Sequence, residues 1–228
     1  MKIVRMWKSL SRTRSVHNHQ EQHDHQDYKA TDNSTSGACT SLTVWRKSLL
    51  ISCKGFTVID TNGDLVYRVD NYVGHPEEVI LMDGSGKSVL TMRRRKKLNL
   101  IDTWFVHDGE AGNCCPIRST FAASKSMPTF YVRKNKNMLN TNPRSILAYV
   151  YREACGHKRH TYMIEGSFTH RSCKVLDESR NVVAEIKRKE PNIGGVSYGL
   201  DVFHLIVHSG FDSGLAMALV LVLDQLFS

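Results

Sequence analysis

The last seventeen residues, DSGLAMALVLVLDQLFS at 212–228, constrain the fold more than any other segment of the chain. Every side chain from Leu215 to Leu223 is apolar, so a helix formed here has no polar face for water. A helix over residues 213–227 extends about 22 Å, which is shorter than the roughly 30 Å hydrocarbon core of a bilayer. Asp212 and Ser213 are typical helix N-cap residues. The pattern favours a helix buried in a protein core, with a membrane anchor as the alternative.

The composition gives expectations about compartment and partners. The chain has 228 residues, with 31 Lys and Arg against 22 Asp and Glu, and its formal charge is +9. That balance favours acidic partners such as anionic lipid or nucleic acid. The first residues show no secretory-signal pattern, and the six cysteines include no C-x-x-C pair. We therefore expect reduced thiols and a cytoplasmic location, with the plasma-membrane periphery and the nucleus as further possibilities.

Residues 1–38 differ in composition from the rest of the chain, because they are polar, rich in histidine and short of aliphatic side chains. Such a segment buries too little apolar surface to offset its ordering entropy, so the sequence predicts a disordered tail. It contains two H-x-H pairs, His17 with His19 and His23 with His25. Loose binding of a transition metal is conceivable there, but a low-complexity polar tail is the favoured interpretation. The predicted domain is then 39–228.

One hairpin pattern occurs three times in residues 39–228. An aspartate ends one strand, and a valine begins the next strand six positions later. The pairs are Asp60 and Val66, Asp83 and Val89, and Asp177 and Val183. An aspartate there can accept backbone N–H groups of the turn, while Gly or Asn near the tip supplies a positive φ. We therefore expect structural aspartates and antiparallel hairpins.

Further strand-like segments lie at 42–51, 100–107, 117–123, 130–134, 146–153, 162–167 and 197–208. With the hairpins they make about a dozen strands, followed by one wholly apolar helix. A two-layer sandwich would leave one side of that helix exposed. A closed barrel of about twelve strands has room for a helix and also removes exposed strand edges. The sequence therefore predicts a mainly β protein: a closed antiparallel barrel around a central C-terminal helix.

Several segments resemble the plant LURP-one-related family. They are LTVWRKSLLI at 42–51, GFTVID at 55–60, LVYRVDNY at 65–72, LMD at 81–83, LTMRR at 90–94 and GFDSGLAMALVLVLDQ at 210–225. The likeness extends in order over about residues 40–227, whereas the histidine-rich tail lies outside it. That family is similar in fold to the tubby C-terminal domain and the phospholipid scramblases. The resemblance implies a twelve-stranded barrel around a central helix and, by analogy, a membrane-tethered regulatory role in plant defence.

The segment before the final helix departs from the pattern expected of a scramblase. It reads VHSGF at 207–211, without an acidic run. A Ca²⁺ site needs several clustered oxygen ligands, and Asp201 and Asp212 are too few and too far apart. Calcium-driven lipid scrambling is therefore not expected.

The strongest charged feature is Arg93, Arg94, Arg95, Lys96 and Lys97. Since one barrel face is interior, either the strand ends near Met92 or this cluster lies at a rim. A basic rim is a candidate site for phosphoinositide or other anionic lipid, as in tubby domains. Residues 133–136 and 187–189 could extend the site if they fold nearby. A solubilising charge run and a nuclear-localisation signal are the alternatives.

Other functional classes find little support in the sequence. It has no G-x-S-x-G, H-E-x-x-H, phosphate-binding glycine loop or C-x-x-C motif, so we expect no enzyme, no cofactor and no metal site. His204 and His208 point the same way along a predicted strand but have no acidic ligand nearby in sequence. Aromatic residues do not alternate with the basic runs, which argues against nucleic acid. Cys114 and Cys115 could be acylated, or they are ordinary loop thiols.

The prediction for function is a non-enzymatic binding or regulatory module. Its partner is an anionic phospholipid, such as a phosphoinositide, or a protein, and we expect no transmembrane span. A scramblase-like protein anchored by the C-terminal helix is the alternative. The pattern leaves the ligand and the oligomeric state open.

Overall fold

The computed structural model describes residues 39–51, 53–70, 77–95, 102–110, 127–136, 145–152, 159–190 and 198–227. They all belong to a compact unit that spans residues 38–228. The predicted tail with its H-x-H pairs, the candidate strand at 117–123 and the Cys114–Cys115 pair lie outside the described residues.

The described residues form twelve strands and one helix. The strands are β1 (Thr40–Trp45), β2 (Phe56–Ile59), β3 (Leu65–Val69), β4 (Glu78–Asp83), β5 (Ser88–Arg94), β6 (Thr103–Asp108), β7 (Phe130–Lys134), β8 (Ile146–Arg152), β9 (Tyr162–Ser167), β10 (Ser172–Leu176), β11 (Val182–Arg188) and β12 (Val202–Val207), and the helix is α1 (Ser213–Phe227).

The strands close into an antiparallel barrel. Each strand pairs with its neighbours in the chain, and β1 pairs with β12, with Thr40 opposite Val207 and Trp45 opposite Val202. The predicted barrel is therefore confirmed. Strands β1 and β12 are shorter than the segments predicted for them, 42–51 and 197–208. Their pairing ends at Trp45 and Val202, followed by one further bond from the backbone N–H of Arg46 to the carbonyl of Asp201 at 2.8 Å.

The three repeated hairpins share one structure. In each, the aspartate carboxylate accepts a backbone N–H from four residues ahead, at 2.8–3.0 Å. The strand register shifts in each hairpin just before that aspartate. The residues left without an opposite partner by these shifts are Val66, Val89 and Val183, so each valine is a β-bulge residue rather than the first residue of its strand.

The residue with a positive φ differs among the hairpins. Gly63 and Gly86 have φ values of 87° and 92°, and the equivalent residue of the third hairpin is Arg180, at 65°. The prediction that Gly or Asn supplies the positive φ is therefore wrong for the third hairpin. Asn181 instead donates its backbone N–H and its side-chain amide to Asp177, at 2.8 and 3.0 Å.

Helix α1 lies inside the barrel and has the predicted bounds. Its residues from Gly214 to Asp224 are all buried, and Leu219 and Leu221 are 1% and 0% exposed. Asp212 is the N-cap, because its carboxylate accepts the backbone N–H of Leu215 at 2.6 Å. Among the described residues, no helix is long and apolar enough to cross a bilayer. The apolar surface that suggested an anchor is covered by strands.

Charged side chains meet the C-terminal end of α1. Asp224, only 1% exposed, accepts a hydrogen bond from Arg46 at 3.0 Å and lies 3.9 Å from Arg171. Arg171 is also buried, donates to the carbonyl of Leu200 at 2.9 Å, and has a pKa lowered by desolvation and partly restored by Asp224. Lys134 donates to the carbonyl of Leu226 at 2.9 Å. A cation is stabilised there by the negative end of the helix dipole.

Candidate functional site

The predicted basic cluster begins on β5 and lies at a rim of the barrel. The strand continues through Arg94, which is opposite Trp104, so it ends two residues beyond Met92. Arg94 is 40% exposed, although its position in the strand alternates with the outward Arg93. Lys96 and Lys97 lie outside the described residues.

Two of the three described arginines have carboxylate partners. Arg93 pairs with Glu78 on the neighbouring strand, and Arg94 pairs with Asp102 at 2.6 Å. Arg95 is exposed, and its guanidinium lies over the ring of Phe105, 5.6 Å from the centroid. Within the described ranges no carboxylate pairs with Arg95. The cluster therefore carries less uncompensated charge than its sequence suggests.

The strand register brings aromatic rings beside these arginines on the outer surface. Phe105, Tyr131 and Tyr151 are successive partners across β6, β7 and β8. The two tyrosine rings stack, with centroids 4.8 Å apart and planes 9° from parallel. Arg133 is exposed and lies over both rings, at 5.2 and 5.6 Å. We call the set comprising Arg95, Phe105, Tyr131, Arg133, Tyr149 and Tyr151 the cation–aromatic face.

The electrostatics of this face are positive. Burial raises the pKa of Tyr151, an effect that Arg133 partly opposes, so the phenol is neutral at physiological pH. Within the described residues Arg133 has no carboxylate partner. Its guanidinium contacts the faces of two rings, which are the negative regions of aromatic side chains. Tyr149 extends the surface toward His160, with ring centroids 5.1 Å apart. The face thus presents guanidinium groups among half-buried aromatic rings.

The other predicted basic segments do not all join this site. Arg133 belongs to the face, but Lys134 is engaged with the helix terminus and with the ring of Phe227, 4.7 Å away. Lys187 and Arg188 lie on β11, which is six strands from β5 in the barrel of twelve, so they lie on the opposite side.

The sequence contained a signal for the aromatic part of this face. Tyr131 and Arg133 are two positions apart, as are Tyr149 and Tyr151, which places each pair on one side of its strand. A search for aromatics within the basic runs misses them, because they lie on neighbouring strands. Aromatic and basic side chains therefore lie together in three dimensions, although they do not alternate within the basic runs of the sequence.

The predicted histidine pair lies on the outer surface of the barrel. His204 and His208 are both half-buried on the outward side of β12 and just beyond it, as the alternation predicts. Desolvation and Lys189 lower the pKa of His204. Within the described residues, no group of three or more His, Cys, Asp or Glu side chains is arranged to hold a metal ion. Cys173 is buried, which raises its thiol pKa to about 12 and makes it unreactive.

Comparison with known proteins gives consistent matches. The LURP-one-related family model matches residues 40–224. LURP-one-related 17 of Arabidopsis thaliana is 53% identical over 197 residues, covering 84% of this chain and 85% of the relative. LURP-one-related 8 of the same plant is 48% identical over 195 residues, covering 84% and 89%.

A solved structure has a similar fold. The X-ray structure of an Arabidopsis thaliana protein superposes with a TM-score of 0.56 and 25% identity, covering 83% of this chain and 91% of the other. The family model covers more than half of the chain, and the fold matches the predicted barrel. The chain belongs to the LURP-one-related family.

Proposed function

We propose that this protein is a non-enzymatic module that attaches peripherally to anionic phospholipid membranes through its cation–aromatic face. The observation that carries the proposal is the pairing of Arg95 and Arg133, both without a described carboxylate partner, with aromatic rings on one outer surface. The family resemblance adds plant defence as the setting and the cytoplasmic side of a membrane as the location.

The charges supply the attraction in this proposal. A basic residue near an anionic membrane contributes about 1 kcal/mol. Arg95 and Arg133 would contribute that attraction without first breaking an ion pair, whereas Arg93 and Arg94 are already engaged. The predicted lipid site at residues 93–97 is therefore refined toward Arg95, and Arg133 joins it from β7.

The aromatic rings would let this face insert into the headgroup region of the membrane. Tyrosine side chains favour the headgroup level of a bilayer, where the ring contacts apolar chains and the hydroxyl contacts water. Tyr131, Tyr149 and Tyr151 are on adjacent strands of a rigid barrel, so they would reach the membrane together. A face of this kind fits a lipid surface better than a purely polar partner.

The test is co-sedimentation of the full chain with vesicles of phosphatidylcholine alone or with added phosphatidylserine or phosphatidylinositol bisphosphate. We expect binding only to anionic vesicles and weaker binding at higher salt. The double variant Arg95→Gln/Arg133→Gln should reduce partitioning roughly 30-fold, because it removes about 2 kcal/mol of attraction.

A matched control is Lys174→Gln/Arg180→Gln, which removes the same charge from β10 and the turn after it. This variant should retain most of the binding. If both double variants lose the same affinity, the attraction comes from net charge and no specific face exists. The proposal would also be contradicted if the wild-type protein bound neutral vesicles as strongly as anionic vesicles.

A further inference from the structure

A thiol, an imidazole and a carboxylate meet on the outer surface where β1, β12 and β11 lie side by side. Cys39 Sγ is 3.6 Å from His208 Nδ1, and His208 Nε2 is 3.5 Å from Glu185 Oε1. The two ring nitrogens of His208 therefore face different groups, one the thiol and the other the carboxylate. A nucleophile thus lies beside a base, and a carboxylate lies near the other nitrogen of that base.

The barrel register produces this cluster from three distant segments. Thr40 is opposite Val207 in this antiparallel pair. Cys39, which precedes Thr40, is therefore next to His208, which follows Val207. The backbone N–H of His208 bonds to the carbonyl of Val183 at 3.0 Å. Glu185 is two residues further along that strand, a diagonal position that a long side chain can span. The register of β1, β12 and β11 thus brings Glu185 and the residues next to two strand ends together.

The surroundings are electropositive. Glu185 Oε2 accepts from Lys187 at 3.1 Å, and Lys174 is directly opposite Glu185 on β10. Burial alone would raise the pKa of Glu185, but its ion pair with Lys187 and the nearby His208 bring that pKa below the ordinary value. One ionised carboxylate thus faces two lysines and an imidazole. Reactive cysteines occur in partly exposed surroundings of this kind, and Cys39 is exposed.

We propose that Cys39 is an activated thiol that is reversibly modified by an anionic low-molecular-weight disulfide of the glutathione type. His208 accepts the thiol proton as Cys39 Sγ attacks one sulfur of the disulfide. The Cys39–sulfur bond forms, the original sulfur–sulfur bond breaks, and the departing thiolate takes the proton back from His208. Cys39 is oxidised to a mixed disulfide, and half of the reagent is reduced to the free thiol. The lysines provide charge complementarity to the anionic reagent.

The experiment is a time course of the reduced full chain with glutathione disulfide under native conditions, with modification of each cysteine measured by peptide mass mapping. Cys53 is an internal reference, because it is also exposed. We expect Cys39 to react on the order of tenfold faster than Cys53, and His208→Gln to remove that advantage. Glu185→Gln should slow Cys39 severalfold, and none of these changes should alter the rate at Cys53.

His204→Gln is the matched control, since His204 lies on β12 four residues before His208 and points to the same outer surface. It should leave the rate at Cys39 unchanged, and a melting curve of each variant confirms that the barrel is folded. A neutral disulfide, hydroxyethyl disulfide, should retain the His208 effect but react more slowly at Cys39 than the anionic reagent. Equal rates at Cys39 and Cys53, or an unchanged Cys39 rate in His208→Gln, would overturn the proposal.

Discussion

At the residue scale, one carboxylate organises each repeated hairpin. Asp83 accepts from the hydroxyl of Ser85 at 2.6 Å and from the backbone of Lys87 at 3.0 Å. Asp177 accepts from both the side chain and the backbone of Asn181. These bonds lower the pKa of both aspartates from the ordinary value of 3.8. The charge of each carboxylate is therefore part of the turn.

Asp177→Asn tests this contribution through its pH dependence. Because the folded pKa is lowered, ionisation stabilises the native state above the unfolded pKa of 3.8, and this stabilisation is lost as pH falls through the folded pKa. We expect the variant to melt below the wild type at neutral pH. The difference should narrow steadily below about pH 4, as measured by circular dichroism melting over a pH series.

Asp64→Asn is the control, because Asp64 lies in an equivalent turn and its carboxylate has no hydrogen-bond partner among the described residues. It should melt like the wild type at each pH. A difference for Asp177→Asn that is constant with pH would show that the hydrogen bonds matter without the charge.

At the element scale, the end of α1 depends on charges from distant strands. Arg46 and Asp224 are 178 residues apart in the chain, and Arg171 packs its guanidinium over Phe168 and Phe203, at 4.3 and 4.5 Å. Asp224 thus places one negative charge between two arginines, of which Arg171 is buried and Arg46 is partly exposed. Such a group is weak evidence for net stability, but losing one member leaves an uncompensated buried charge.

A double-mutant cycle on Arg171 and Asp224 measures this dependence. Arg171→Met and Asp224→Leu should each lower the free energy of unfolding by about 3 kcal/mol. The double variant should lose much less free energy of unfolding than the two single variants added together. In it neither of these two charges remains buried without the other. Urea unfolding of the four proteins gives the coupling energy.

The exposed pair Arg180 and Glu165, 3.5 Å apart with Arg180 67% exposed, provides the comparison. Its coupling energy should be below about 1 kcal/mol, as is usual for surface pairs. Additive losses at Arg171 and Asp224 would mean that the two groups are stabilised by other partners.

The elements themselves differ in how well the sequence predicts them. Helix α1 has the predicted bounds, because its signals are local: a capping aspartate and an uninterrupted apolar run. The three hairpins are also local, although their bulges are not visible in the pattern. The cation–aromatic face and the Cys39–His208–Glu185 cluster depend on register between strands far apart in sequence. Bulges and connections set that register, so a one-dimensional search for motifs does not find these sites.

At the scale of the whole molecule, the helix and the barrel require each other. A closed barrel of twelve strands has an interior that its own side chains do not fill, and a wholly apolar helix has no face for water. Inward residues such as Val58, Val106 and Val132 are completely buried, which leaves the outer surface to carry function. Both proposed sites lie on that surface.

Leu219 tests this mutual dependence. It is 1% exposed near the middle of α1, so Leu219→Ala should lower the free energy of unfolding by about 3 kcal/mol through loss of packing and a residual cavity. Leu219→Asp should abolish folding, because an unpaired buried carboxylate costs several kcal/mol more. Near-ultraviolet circular dichroism should then lose the signal of Trp104, which the barrel wall buries to 1% exposure. Gln225→Ala, a change at a half-buried position of the same helix, should leave that signal intact. If Leu219→Asp kept a native Trp104 signal and cooperative unfolding, the helix could not be the element that fills the barrel.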